Sequence, residues 1–157
     1  MLEFFKRLEK SQVFKDWKKE NKSCFLCSCF TIIDKKNDFW QFDFYNKKLN
    51  KITSFKVSDE IEIFPEDDIF SDGKSSINQL DFKDLKTEFN EISEKLKKKH
   101  KNEGIVKEIV ILQNSDGLIW NISLLTSTMN LINAKVSAST GKILEEKSES
   151  VLKFRES

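Results

Sequence analysis

Hydrophobic positions follow two periodicities along this chain. Leu118, Trp120, Ile122 and Leu124 alternate with Ile119, Asn121, Ser123 and Leu125, and Ile132, Ala134, Val136 and Ala138 alternate with Asn133, Lys135 and Ser137. A period of two marks a strand with one buried face, so residues 116–142 read as two antiparallel strands and the start of a third. Thr140 and Gly141 close this stretch; glycine accepts the positive φ of a tight turn at little cost. The alternation recurs over residues 39–45, where Trp40, Phe42 and Phe44 oppose Gln41 and Asp43. Residues 24–33 and 105–113 are apolar on both parities, as in strands buried on both faces. In residues 51–57 the apolar parity switches between Ile52 and Phe55, which predicts a bulge near Thr53 and Ser54. Residues 60–64 read as a short strand ended by Pro65.

The helical period appears twice. Residues 2–20 carry Phe5 and Leu8 on one side and Val13 and Trp17 at i,i+4, and the two pairs do not share a stripe. A break at Ser11, serving as an N-cap, accounts for this. Phe82, Leu85, Phe89, Ile92 and Leu96 fall at spacings of 3, 4, 3 and 4, which predicts one amphipathic helix. Asp81 and Asp84 suit its start, the lysines of residues 97–101 suit its C-terminal dipole, and Gly104 suits its exit.

An offset of about 80 residues superposes the two halves. Trp40 falls on Trp120, Phe42 on Ile122, Phe44 on Leu124 and Ile52 on Ile132; Leu26, Phe30 and Ile32 fall on Val106, Val110 and Leu112. The expectation is an α+β fold of two tandem repeats, each one helix plus three or four antiparallel strands, with helices packed on one sheet face. Residues 1–65 form the first α-β repeat, 66–80 a connector with a turn at Asp72 and Gly73, and 81–157 the second repeat.

The Trp120-led strand, the strand after it and the turn Thr140, Gly141, Lys142, Ile143 resemble the end of a PepSY-type domain. The likeness covers residues 82–147 directly and 11–64 through the repeat; Ser137 stands where the family pattern often has an Asp. The resemblance implies a cystatin-type helix across a curved antiparallel sheet. It also implies a non-catalytic role, since such domains occur in protease propeptides and cell-envelope proteins, where they bind or restrain a partner.

Composition narrows the function classes. Lys+Arg 27 against Asp+Glu 26 leaves a net charge of +1, which supplies no global field for nucleic acid or an anionic membrane. No apolar run approaches the roughly 18 residues of a spanning helix. Charge begins at Glu3, and no secretory h-region follows, so the expected location is cytoplasmic, with the three cysteines reduced. A single histidine, with no GxSxG, HExxH or P-loop pattern, points away from an enzyme.

Cys24, Cys27 and Cys29 are the most conspicuous cluster. On an unbroken strand Cys27 and Cys29 share a face and Cys24 points to the other. The favoured reading is three small hydrophobes in a buried strand. The alternative is a metal- or redox-responsive protein in which these thiols and His100 form a zinc site. Trp40 and Trp120 are expected in the core. The polar parity leaves Gln41, Asp43, Asn121, Ser123 and Lys135 as candidate partner-binding residues on the uncovered sheet face. The function expected is a non-catalytic protein-binding or regulatory, inhibitor-like module. It needs no cofactor, takes a protein or peptide partner, and is a monomer or a homodimer through an edge strand.

Overall fold

A computed structural model describes residues 1–68 and 76–152, with the backbone alone for Glu66 and Asp68. The predicted turn at Asp72 and Gly73 lies outside the described residues. The elements in order are α1 (Leu2–Lys10), α2 (Gln12–Glu20), β1 (Phe25–Ile33), β2 (Trp40–Asn46), β3 (Lys51–Val57), β4 (Ile61–Asp68), a 3-10 turn (Phe82–Asp84), α3 (Phe89–Lys99), β5 (Ile105–Asn114), β6 (Leu118–Thr126), β7 (Asn130–Ser137) and β8 (Ile143–Ser150).

The eight strands among the described residues belong to one sheet, in the order β4-β3-β2-β1-β5-β6-β7-β8. Every neighbouring pair is antiparallel. This corrects the expectation of two tandem helix-plus-strand repeats with helices packed on each. The doubly apolar β1 and β5 pair with each other, from Ser28 with Gln113 to Ile33 with Glu108. That pairing fuses both groups of strands into a continuous sheet, and one core serves both groups. Leu8, Phe14, Ile92 and Leu96 from the helices join that core with Trp40, Phe42, Phe55, Trp120, Ile122 and Ile132. The indoles of Trp40 and Trp120 lie 6.4 Å apart, and both touch Phe89.

The 80-residue superposition fails on side-chain direction. The β1–β2 register shifts between Leu26 and Ser28, so Cys27 is a bulge residue and parity slips by one. Leu26, Cys29 and Thr31 are therefore buried while Phe30 and Ile32 are half-exposed. Their supposed counterparts Val110 and Leu112 are fully buried, and Val106 is 51% exposed at a second bulge, between Ile105 and Lys107. Ile52 is half-exposed, whereas Ile132 is buried.

Three further expectations change. β3 keeps strict parity, with Thr53, Phe55 and Val57 buried. The irregularity lies across from Thr53, where Ile52 faces Asp67 but Ser54 faces Phe64. The extra residue is thus on β4, and Pro65 sits in that bulge without ending the strand. β4 is an edge strand, where a missing N–H is tolerated. The second helix begins at Phe89, seven residues after Phe82. Asp81 instead caps the 3-10 turn through the Lys83 N–H. The reason is tertiary: the N–H groups of Lys86 and Thr87 both donate to the Ala138 carbonyl, at 3.0 and 3.1 Å, and this keeps the segment out of the helix. Phe82, Leu85 and Phe89 still pack against the core, so their period reflects burial and not helix.

The break at Ser11 forms as expected. Its backbone is extended, and its Oγ accepts from the Phe14 N–H at 3.2 Å, satisfying one orphan donor of α2. In the β7–β8 turn Gly141 has φ +77°, which a side chain would strain.

Candidate functional site

The outer face of the sheet turns away from the core. Alternation gives it Ser28, Phe30 and Ile32 from β1, Gln41 and Asp43 from β2, and Ser54 from β3. β5 adds Ile109 and Ile111, β6 adds Asn121 and Ser123, and β7 adds Asn133 and Lys135. Phe30 faces Ile111 and Ile32 faces Ile109 across the central seam, so four half-exposed apolar side chains form a band there.

Polar networks flank this band. The Asp43 carboxylate accepts from Ser28 Oγ at 2.7 Å, Gln41 Nε2 at 3.0 Å and Ser54 Oγ at 2.6 Å. Three strands thereby lock one carboxylate in place, with hydrogen bonds to a charged acceptor that are stronger than neutral ones. On the other flank the Asn133 amide donates to Asn121 Oδ1 at 3.1 Å and Ser123 Oγ at 2.8 Å. Lys135 faces Asn121 across the β6–β7 ladder and pairs with Glu145 of β8 at 3.5 Å. The five residues expected here thus share one face in two groups: Gln41 with Asp43, and Asn121 and Ser123 with Lys135 across from them. Ser28, Ser54 and Asn133 complete the networks. Asn133 already stands on the polar parity of its strand in the sequence, whereas Ser28 and Ser54 were missed; Ser54 carries the outer-face parity and could have been found, and Ser28 is hidden by the bulge beside it.

The cysteines do not converge. Cys24 and Cys29 belong to the core cluster, while Cys27 is outside it and lines a shallow hollow on the outer face with Ser28 and Gln113. The bulge thus reverses the expected sharing of faces. Cys27 Sγ donates to the Asp43 carbonyl at 3.3 Å. Burial, helped by the Asp43 charge, pushes the Cys27 thiol up to about 12, and burial raises Cys29 well above its ordinary value. Thiolates are the metal ligands and nucleophiles, so both positions are poor in either role. Among the described residues no three His, Cys, Asp or Glu side chains are grouped to hold a metal ion.

His100 caps α3, its N–H donating to the Leu96 and Lys97 carbonyls. Its ring lies between Glu146 and Glu103, at 2.5 and 3.2 Å. Lys99 also bonds Glu146, and these partners, Lys99 foremost, hold the Glu146 carboxyl below its ordinary range. The cluster fastens the end of α3 to β8.

A concave site opens at the end of the sheet near Trp40 and Trp120. It is a cleft of about 620 Å³ between the start of α1, the β1–β2 turn and residues 85–90. Trp120 is almost fully buried at its base, and its Nε1 donates to Thr87 Oγ1 at 3.1 Å. Thr87 Oγ1 in turn donates to the Ala138 carbonyl at 2.8 Å. Both indoles are core residues, as expected, with Trp40 7% and Trp120 1% exposed.

No family model matches the chain, and no curated protein matches it in sequence. Among solved structures, it is similar to the crystal structure at 1.85 Å of a "putative lipoprotein" from Clostridium difficile 630. The TM-score is 0.61 with 15% identity, over 87% of this chain and 90% of that one. At that identity the likeness shows the fold alone: an α+β chain built on an antiparallel sheet.

Proposed function

We propose that this chain is a non-catalytic, cytoplasmic binding module that takes a protein or peptide partner on the outer face of its sheet. One observation carries the reading. An apolar band of Phe30, Ile32, Ile109 and Ile111 is flanked by polar groups already fixed by one another, around Asp43 and around Asn133. Fixed side chains lose little entropy on association, so such a face is suited to recognition. An apolar centre with a polar rim is the usual anatomy of an interface. The PepSY-type likeness of the closing strands supports a restraining, inhibitor-like role. The alternative metal- or redox-responsive reading has less support, because the cysteines face different ways and two of their thiols are held neutral.

The test is quantitative capture from a native extract by the wild type, by Ile111→Lys, and by Lys15→Glu on the exposed surface of α2. Circular dichroism confirms that each is folded. The reading expects a partner retained by the wild type and Lys15→Glu and lost by Ile111→Lys. A partner that survives Ile111→Lys and is lost with Lys15→Glu places recognition on the helices and refutes it.

A further inference from the structure

A second concavity, of about 710 Å³, lies where the last turn of α3 meets the start of β5 and the β1–β2 turn. Its apolar lining is Ile33, Ile105 and Val106, the last 51% exposed because the β5 bulge turns it outward. Four lysines, Lys35, Lys36, Lys97 and Lys107, stand around it with two carboxylates, Asp34 and Glu108.

Both carboxylates are already engaged. Asp34 accepts from the Lys36 N–H at 2.7 Å, the Asn37 N–H at 3.0 Å and the Asn37 amide at 2.8 Å. Glu108 is 2% exposed on the floor; it accepts from Ser93 Oγ at 2.6 Å and pairs with Lys97. Lys35, Lys36 and Lys107 form no ion pair among the described residues. Lys97 offsets the Glu108 charge, and Asp34, whose donors are neutral amides, keeps its charge and acts on Lys107. Four lysines against two carboxylates still leave an excess of positive charge beside aliphatic surface, in a chain whose total charge is +1. Its volume lies in the range of roughly 300–1,000 Å³ typical of small-molecule sites.

We infer that this cleft binds a small aliphatic carboxylate. The head group meets Lys35, Lys36 and Lys107, and the chain lies on Ile33, Ile105 and Val106. Lysine suits such a head, since its flexible stem covers apolar surface while the ammonium stays at the rim. Lys107 shares the parity of Ile109 and Ile111, but the cleft does not include Phe30, Ile32, Ile109 or Ile111; octanoate binding and partner capture are therefore read out by different variants.

The probe is octanoate, with octanol as its neutral counterpart. Binding is followed by chemical-shift changes of the backbone amides of residues 33–36 and 105–108. Saturable shifts at both segments are expected with octanoate, with octanol binding about tenfold more weakly, since three exposed charge contacts are worth little each but add up. The triple variant Lys35→Gln, Lys36→Gln, Lys107→Gln is expected to lose that preference. Val106→Glu, at a position already open to solvent, should weaken octanoate without changing the fold. The inference is overturned if octanoate produces no saturable shift. It is equally overturned if octanol binds as well, or if the triple lysine variant binds octanoate like the wild type.

Discussion

Replacing Thr87 by valine tests how the extended segment before α3 is held. Valine keeps the shape of threonine and removes one hydroxyl. That hydroxyl donates to the Ala138 carbonyl and accepts from the Trp120 indole. The carbonyl is little affected, because the N–H groups of Lys86 and Thr87 still reach it. The indole N–H is different: Trp120 is 1% exposed, and leaving a buried donor unpaired costs about 1–3 kcal/mol. For a chain of this size that corresponds to a fall in Tm of about 2–4 °C per kcal/mol. Urea denaturation followed by far-ultraviolet circular dichroism gives the stability, and the resonance of the Trp120 indole N–H reports its surroundings. Thr87→Ser retains the hydroxyl and should cost clearly less than Thr87→Val. In a Trp120→Phe background there is no indole N–H to strand, so the cost of Thr87→Val should shrink by most of that amount. If Thr87→Val stays within about 0.5 kcal/mol of the wild type, or if its cost is unchanged by Trp120→Phe, the hydroxyl does not satisfy the indole and the account of this segment is wrong.

Other outcomes follow from local features. Ser11→Ala removes the cap of α2 and should cost about 0.5–2 kcal/mol, measured by chemical denaturation, with Ser11→Asp close to the wild type. Glu146 is depressed in the folded state by Lys99 and His100, so its contribution is fully present above the unfolded carboxylate value of roughly 4.3. It is lost as pH falls through the lower folded value; Glu146→Gln should therefore flatten the acid limb of the stability–pH curve, and an unchanged limb would remove this carboxyl from it. A thiol reagent at pH 8 should label the native protein slowly and reach all three cysteines only after denaturation. Fast native labelling of Cys27 would contradict a thiol pushed up to about 12. Lys97→Met leaves Glu108 with Ser93 alone and should destabilise by about 1–3 kcal/mol, less than the 3–5 of a fully buried pair because Lys97 is 45% exposed.

The strands were legible wherever one face is buried and the register is unbroken. Trp40, Phe42 and Phe44 in β2, and Leu118, Trp120, Ile122 and Leu124 in β6, point inward as their alternation requires. The capping role of Ser11 was legible too, because two helical stripes that do not align need a break. Three things were hidden. A bulge adds one residue without any compositional mark, so Cys27 and Val106 gave no warning that parity slips beside them. Helical spacing from Phe82 to Leu96 describes burial equally well for an extended segment followed by a helix, and the Ala138 carbonyl that decides between them is distant in sequence. The seam between β1 and β5 was hidden because two doubly apolar strands fit one sheet or two equally well. Of the outer-face residues, Gln41, Asp43, Asn121 and Ser123 were found by parity, while the fixed geometry around Asp43 needed the neighbouring strands.

The seam also governs how the chain matures as it is made. β1 must wait for β5, and from Ile33 to Asn114 about 80 residues must first be synthesised. At roughly 5–20 residues per second that is about 4–16 s. For that interval a nascent chain carries a strand with one unpaired rim, rich in Phe and Ile, beside a hairpin partner on only one side. Such a rim attracts any extended segment nearby, including the same strand of a neighbouring nascent chain on a polysome. Slow translation between the two halves should lower the soluble yield, and early supply of a β5 peptide in trans should restore it.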